Sequence, residues 1–227
     1  MGLDLDKINE AFRPKAAQEL LVWAFSQFKQ IAFACSFGAE DVVIYDMLVR
    51  INPKARIFYL DTDLFFPETY ELIERMKRRY RNEKYVIRCR PFLSLKEQES
   101  RYGKELWKRN PDLCCYLRKV LPLKHFLSKL EAWITGIRRE QGPTRAKANL
   151  VEYDPKFGLI KINPLAYWSW QDVWNYIYHY KVPFNPLHQK GYPSIGCKPG
   201  TKPVKPGEDL RSGRWPGFDK TECGLHG

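Results

Sequence analysis

Three groups of side chains in this 227-residue chain have types and spacings that could do chemistry. The first is sulfur: Cys114 and Cys115 are adjacent, and Cys197 lies far along the chain in Ser194-Ile195-Gly196-Cys197-Lys198-Pro199-Gly200-Thr201. Adjacent cysteines seldom pair with each other, because the peptide between them must distort to meet disulfide geometry. Two neighbours plus a distant third suit thiolates that share a soft metal or an iron–sulfur cluster. They also suit small apolar core residues. The turn at Cys197 has the frame of a Cys-x-x-Cys ligand turn, with Gly200 where the second cysteine would stand. The second group is Cys223, in Lys220-Thr221-Glu222-Cys223-Gly224-Leu225-His226. So near the end of the sequence it is a poor core residue; it suits a mobile nucleophile whose thiolate Lys220 and His226 could enrich, and equally an incidental terminal cysteine. The third group is basic. Arg138, Arg139 and Arg145 follow an apolar run, and Arg211 and Arg214 sit in Asp209-Leu210-Arg211-Ser212-Gly213-Arg214-Trp215. Guanidinium forks match phosphate and sulfate oxygens. Lys119 falls one helical turn after Cys115, on the same face.

These residues need a frame. Ile31 to Cys35 are five apolar residues in a row, a strand buried on both faces. The run breaks at Ser36-Phe37-Gly38 and passes into a helix over Val42 to Leu48. A strand, a short glycine turn and a helix N-terminus form an anion site, and in an open parallel sheet nucleotides bind there. Glu40 and Asp41 also read as ordinary first-turn acids and Ser36 as a cap. A second strand, Arg56 to Leu60, ends in Asp61-Thr62-Asp63. Pro67 then suits a first helical turn, with Leu72, Ile73, Met76 and Tyr80 on one face. Tyr85 to Cys89 is a third strand, and Ala132 to Ile137 a fourth. Residues 94–130 read as helical and strongly charged. Val151–Tyr153 and Leu159–Ile162 form a hairpin, and Ser169 with Asp172 caps a helix that ends near Lys181. Residues 4–30 read as a helix or helix pair broken at Pro14. The alternation predicts an α/β fold, a mostly parallel sheet with helices on both faces. We expect a nucleotide-binding domain over 1–181. Residues 182–227, with seven Pro and eight Gly, are then a loop-rich tail that carries Cys197 and Cys223.

With 44% apolar residues a core is amply supplied, and a formal charge of +12 favours anionic partners or a solvated basic surface. No apolar run is long enough to span a membrane, and the N-terminus lacks the order of a signal peptide. A cytoplasmic protein is expected, in which cysteines serve as ligands, catalysts or core residues more often than as disulfides.

Nearly the whole chain, in order, resembles the assimilatory sulfonucleotide reductases, closest to their adenylylsulfate (APS) branch. The resemblance rests on Ser36-Phe37-Gly38-Ala39-Glu40-Asp41, Leu60-Asp61-Thr62-Asp63 with Pro67-Glu68-Thr69, and Cys114-Cys115. It continues through Gly136-Ile137-Arg138-Arg139, Gly191-Tyr192-Pro193-Ser194-Ile195-Gly196-Cys197 and Arg211-Ser212-Gly213-Arg214-Trp215, and ends with Glu222-Cys223-Gly224-Leu225-His226. It implies a fold like the adenine nucleotide alpha hydrolases and PP-loop proteins. It implies that Cys223 attacks the sulfur of APS, expels AMP and becomes an S-sulfocysteine, from which thioredoxin or a similar dithiol releases sulfite. Cys223, His226 and Lys119 would be catalytic. Ser36, Gly38, Asp61, Thr62, Arg138, Arg139, Arg145, Arg211 and Arg214 would bind substrate.

The APS branch carries a [4Fe–4S] cluster on four cysteines, which the branch acting on 3′-phosphoadenylylsulfate (PAPS) usually lacks. Here Cys114, Cys115 and Cys197 match three ligands and Gly200 replaces the fourth. The reading favours APS and a cluster. An outside fourth ligand, a labile or absent cluster, and an altered residue at position 200 are all compatible with it. A homo-oligomer is also compatible; neither nucleic acid nor membrane is an expected partner. Two rival readings are weighed. A tRNA-modifying enzyme that adenylates a base would carry Ser-Gly-Gly-x-Asp-Ser, which Phe37, Ala39 and Glu40 interrupt. A non-catalytic nucleotide or cluster sensor would have no use for Cys223 and His226.

Overall fold

A computed structural model describes residues 2–220 and 222–225. His226, expected beside the nucleophile, lies outside the described residues. The N-terminal pair is α1 (Leu5–Phe12) and α2 (Ala17–Gln27), separated at Pro14. β1 (Ile31–Ala34) leads through Ser36-Phe37-Gly38 into α3 (Ala39–Ile51), and β2 (Ile57–Leu60) into α4 (Pro67–Tyr80), which has Pro67 in its first turn. β3 (Val86–Cys89) follows a 3-10 turn.

The stretch expected to be helical over 94–130 is instead broken into α5 (Leu95–Tyr102), α6 (Leu106–Arg109), α7 (Pro111–Cys115) and α8 (Leu121–Leu127), with a π-helical turn over Tyr116–Val120. The breaks have local causes. Gly103 and Glu105 both take positive φ, and the Asn110 side chain accepts from Leu113 N to start α7 anew at Pro111. β4 (Ala132–Ile134) is shorter than expected. The hairpin forms as β5 (Val151–Asp154) and β6 (Leu159–Ile162), and Ser169 caps α9 (Trp170–His179) in a capping box with Asp172.

The six strands form one sheet in the order β3-β2-β1-β4-β6-β5. All neighbours are parallel except β5 and β6. Successive side chains of a strand point to opposite faces, and the central strands follow this closely. Ile31, Phe33, Ile57, Tyr59, Ala132 and Ile134 enter the larger core with α2, α3, α4 and α9. Ala32, Phe58 and Trp133 enter a second core with Leu123 and Leu127 of α8. Helices therefore cover both faces, as the continuous apolar strands require. No helix among the described residues is long and apolar enough to cross a membrane.

One buried carboxylate ties three helices behind the sheet. Asp46 of α3 is fully buried and accepts from Arg50 Nε at 2.6 Å, Tyr80 OH of α4 at 2.5 Å and Tyr176 OH of α9 at 2.8 Å. Removing it strands the buried Tyr176 hydroxyl and the half-buried Tyr80 hydroxyl, and hydrogen bonds to a charged group contribute more than neutral ones. Asp46→Ala should lower the unfolding free energy in urea by on the order of 4 kcal/mol. A loss under about 1 kcal/mol would show that the three helices do not depend on it.

Candidate active site

A cleft opens beyond the carboxyl ends of β1 and β4. Its lining includes Ser36 and Gly38 of the turn after β1 together with Lys119, Arg211, Arg214 and Cys223. The turn is built tightly. Phe37 adopts φ 61° with its ring buried, and the Ser36 amide donates to Asp41 Oδ2 at 2.5 Å. Gly136 leaves β4 so close to Asp41 that any Cβ there would overlap the carboxylate. The turn is thus not the vacant anion cradle its strand-turn-helix pattern suggests. Asp41 already takes the Ser36 N–H, and Glu40 and Asp41 together offset the positive end of α3. Burial pushes the Asp41 carboxyl up to about 6, opposed by its Ser36 bonds.

Positive charge also lines the cleft. Arg214 is laid flat on Gly196, where a Cβ would collide with its guanidinium. It is held there because its strand bridges Thr201, while Lys202 N bonds Gly213 O at 2.8 Å and Trp215 N bonds Gly200 O at 3.0 Å. Arg214 donates from Nη1 to Ser194 Oγ at 3.3 Å, and its buried Nε has no partner among the described residues. Arg211 stands beside Arg145. Burial and that neighbouring cation bring its value down to about 10. Lys119 is the centre of the sulfur group. Burial works against its charge, but Cys197, Cys223 and Cys115, as thiolates, outweigh it and raise its pKa.

The other expected residues divide. Arg138 lines the cleft, but its buried guanidinium is tied to Glu40 at 2.8 Å, to Glu140 at 3.0 Å and to the Trp168 carbonyl at 3.2 Å. Arg139 is not among the cleft-lining residues. It donates to Ala148 O at 2.7 Å and Asn149 Oδ1 at 3.0 Å and lies over the Tyr167 ring. Asp61 is fully buried and accepts from Tyr70 OH at 2.8 Å and Arg88 Nε at 2.6 Å. Thr62 reaches the sulfur group instead, its Oγ1 3.2 Å from Cys197 Sγ. Arg145 lines the cleft, yet its fork faces Glu222.

Sequence reasoning missed Arg118, Glu222 and His188. Arg118, buried in the π-helical turn, donates to Thr62 O at 2.6 Å and Asp63 Oδ2 at 2.6 Å. It locks the cysteine-bearing helix to the loop after β2; a buried arginine one turn past Cys114 was the available signal. His188 bonds Tyr192 O through Nδ1 at 2.8 Å. A carbonyl only accepts, so Nδ1 carries the proton and the buried, unpartnered Nε2 is left as an acceptor at the cleft wall.

The sulfur group does not make the four-thiolate set that the resemblance implies. Gly200 supplies no donor and faces the Trp215 indole. Cys197 Sγ is engaged by Thr62, and burial pushes the Cys114 thiol up to about 11. Among the described residues no three Cys, His, Asp or Glu side chains are gathered as a metal site.

The phosphoadenosine phosphosulfate reductase domain model matches residues 30–203. The chain belongs to that family. It is 52% identical over 213 residues to the adenosine 5'-phosphosulfate reductase of Geobacillus sp. (strain WCH70), covering 93% of this chain and 90% of that one. A crystal structure of phosphoadenylyl-sulfate (PAPS) reductase from Candida auris, in a phosphate complex, superposes with TM-score 0.79 at 30% identity, covering 89% of this chain and 99% of that one. Candida glabrata FMN adenylyltransferase, at 18% identity and TM-score 0.57 over 82% of this chain and 63% of that one, shares the fold alone. The sheet and its covering helices share the PP-loop-like fold.

Asp41 gives the site a pH signature. Its folded-state value of about 6 lies above the ordinary 3.8, so the folded chain binds this proton more tightly than the unfolded chain. The stability it contributes is full below about pH 4 and is lost as pH rises to about 6, on the order of 3 kcal/mol. Asp41→Asn cannot ionise. Its melting temperature should therefore gain on the wild type between about pH 4.5 and 7.5, and a pH-independent difference would contradict the buried-carboxyl account.

Proposed function

We propose that this chain reduces APS to sulfite and AMP in assimilatory sulfate reduction, supplying sulfur for cysteine biosynthesis in the cytoplasm. The observation that carries the reading is the position of Cys223. Cys223 lines the same cleft as Ser36 and Gly38 of the turn after β1 in a PP-loop-like fold. The relative at 52% identity is named for the 5'-phosphosulfate; the PAPS reductase of known structure is less similar, at 30%.

The charges orient the substrate. The acidic turn at Ser36–Gly38 suits the neutral adenosine end, and Lys119, Arg211 and Arg214 suit the phosphosulfate. The Cys223 thiolate attacks the sulfur and forms the S–S bond as the sulfur–oxygen bond to phosphate breaks. AMP leaves with that electron pair. The leaving group is a phosphate, so little proton delivery is needed; the barrier is repulsion between an anionic thiolate and an anionic sulfate. Fixed cations at the reacting end reduce it. A dithiol of the thioredoxin kind then attacks the Cys223 sulfur and expels sulfite, and its second thiol closes a disulfide that frees Cys223. The tail, 182–227, serves as the segment that carries Cys223 between the two partners.

No step is routed through a cluster. Cys114, Cys115 and Cys197 are the thiolates that would ligate a cluster if one were bound, with none from Gly200, and among the described residues they are not gathered as a metal site. The rival reading of an RNA-adenylating enzyme has no observation in its favour beyond net charge.

Cys223→Ser should abolish sulfite release, by more than about a thousandfold, while AMP affinity stays within about twofold. Sulfite turnover in that variant would sink the mechanism. At Gly200 a Cβ would meet the Trp215 ring at 3.6 Å, ordinary contact. Gly200→Cys should therefore fold and should raise the iron retained per chain after anaerobic purification. Unchanged iron would mean that the cysteine turn does not face Cys114 and Cys115.

A further inference from the structure

The residue before the nucleophile is held more firmly than the nucleophile itself. Arg145 donates to Glu222 through both arms of its fork, Nε to Oε1 and Nη2 to Oε2, each at 2.8 Å. Thr144 Oγ1 adds a bond to Oε1 at 3.2 Å, and Arg211 Nη2 one to Oε2 at 3.2 Å. The remaining arm of Arg145, Nη1, donates to Gln141 Oε1 at 2.7 Å. The pair is well shielded, its side chains 11% and 13% exposed. Burial alone would raise the Glu222 carboxyl, but the arginines bring it below its usual range.

Neighbouring contacts hold the rest of the tail. Lys220 pairs with Asp112, one turn before Cys115, and Lys156 Nζ donates to Gly224 O at 2.6 Å. A Cβ on Gly224 would lie 3.6 Å from Val120, just past Lys119, and Leu225 packs on the second core. Cys223 therefore hangs between fixed points over the helix face that carries Cys115 and Lys119. Among these anchors, the fork–fork pair adjoins Cys223 directly and reaches the 3-10 turn Pro143–Arg145 beside the cleft.

We propose that Arg145 and Glu222 form a latch that positions Cys223 for attack, and that Arg145 acts through the tail rather than by binding the substrate. All three nitrogens of the Arg145 guanidinium are committed to protein oxygens, whereas Arg214, which also lines the cleft, has a buried Nε with no partner among the described residues. The anion therefore falls to Arg214, Arg211 and Lys119. Both sides of the latch are charged and meet through side chains alone, so it can open without unfolding the sheet. A nucleophile that visits a buried nucleotide and then an external dithiol needs such a joint. The inference rests on the reading of Cys223 as the nucleophile.

The test uses the full chain with Glu222→Gln, Arg145→Gln and the double variant. Three quantities are read: AMP affinity, the single-turnover rate of Cys223 S-sulfonation by APS, and Cys223 alkylation by iodoacetamide, located by peptide mass. A latch predicts AMP affinity within twofold of wild type. It predicts S-sulfonation slowed about tenfold or more in each single variant and no further in the double, because one interaction is lost in all three. Alkylation should be faster in all three. Arg145→Glu with Glu222→Arg should recover part of the rate, which a merely destabilised fold would not. The proposal is overturned if Arg145→Gln weakens AMP binding tenfold while Glu222→Gln tightens it, since Arg145 would then be a substrate ligand and Glu222 its competitor. Unchanged S-sulfonation in Glu222→Gln also overturns it. If wild-type protein forms no S-sulfonate, the functional reading fails by itself. Alkylation still decides the latch: unchanged rates in the variants refute it.

Discussion

The rest of the structure depends on how the half-buried Lys119 and the sulfurs of Cys115, Cys197 and Cys223 are brought together. Burial opposes the Lys119 charge, and Cys197, Cys223 and Cys115, where they are thiolates, raise its pKa in spite of it. Each sulfur arrives from a different part of the chain, and each needs its own support. The π-helical turn Tyr116–Val120 carries Lys119, and Arg118 within it clamps the loop after β2. That loop holds Cys197 twice, through Thr62 Oγ1 and through the bond from Lys198 N to Leu64 O at 2.7 Å. The tail then lays Cys223 over the same helix face. A charge in low dielectric is costly unless partnered, so the helix, the loop and the tail are mutually dependent.

The same need for partners sorts five arginines that look alike in the sequence. Arg138 meets Glu40 and Glu140 and becomes a buried brace; Arg139 turns to backbone and amide oxygens near Tyr167. Arg145 meets Glu222. Arg211 and Arg214 remain at the cleft, with one carboxylate shared between Arg145 and Arg211. The cleft therefore holds more cation than anion at the end where Cys223 lies. At the turn after β1, Asp41 takes the Ser36 N–H and Glu40 pairs with Arg138.

Much of the fold was legible because the physics is local. Continuous apolar strands, the Ser169 capping box and the Pro67 helix start appear where the residues place them. The parallel order follows from alternating strand and helix, and the hairpin from its turn. Residues 94–130 were less legible: a charged helical pattern does not disclose the positive φ at Gly103 and Glu105 or the π-helical turn. At the site, Cys223, Lys119, Arg211, Arg214, Ser36 and Gly38 meet at one cleft as their types and order suggested. The roles of Asp61, Arg139 and Glu222 were hidden because their partners, Arg88, Asn149 and Arg145, are set by tertiary packing. His188 gave no signal beyond being one of four histidines.

The central claim is that Cys223 takes the sulfonate from APS. Intact mass of the anaerobically purified chain, mixed with APS and no reductant, tests it most directly. The account predicts a gain of one sulfonate, located on Cys223 by peptide mass and removed by a reduced dithiol protein as sulfite appears. No adduct with APS, or an adduct formed with PAPS alone, would contradict it.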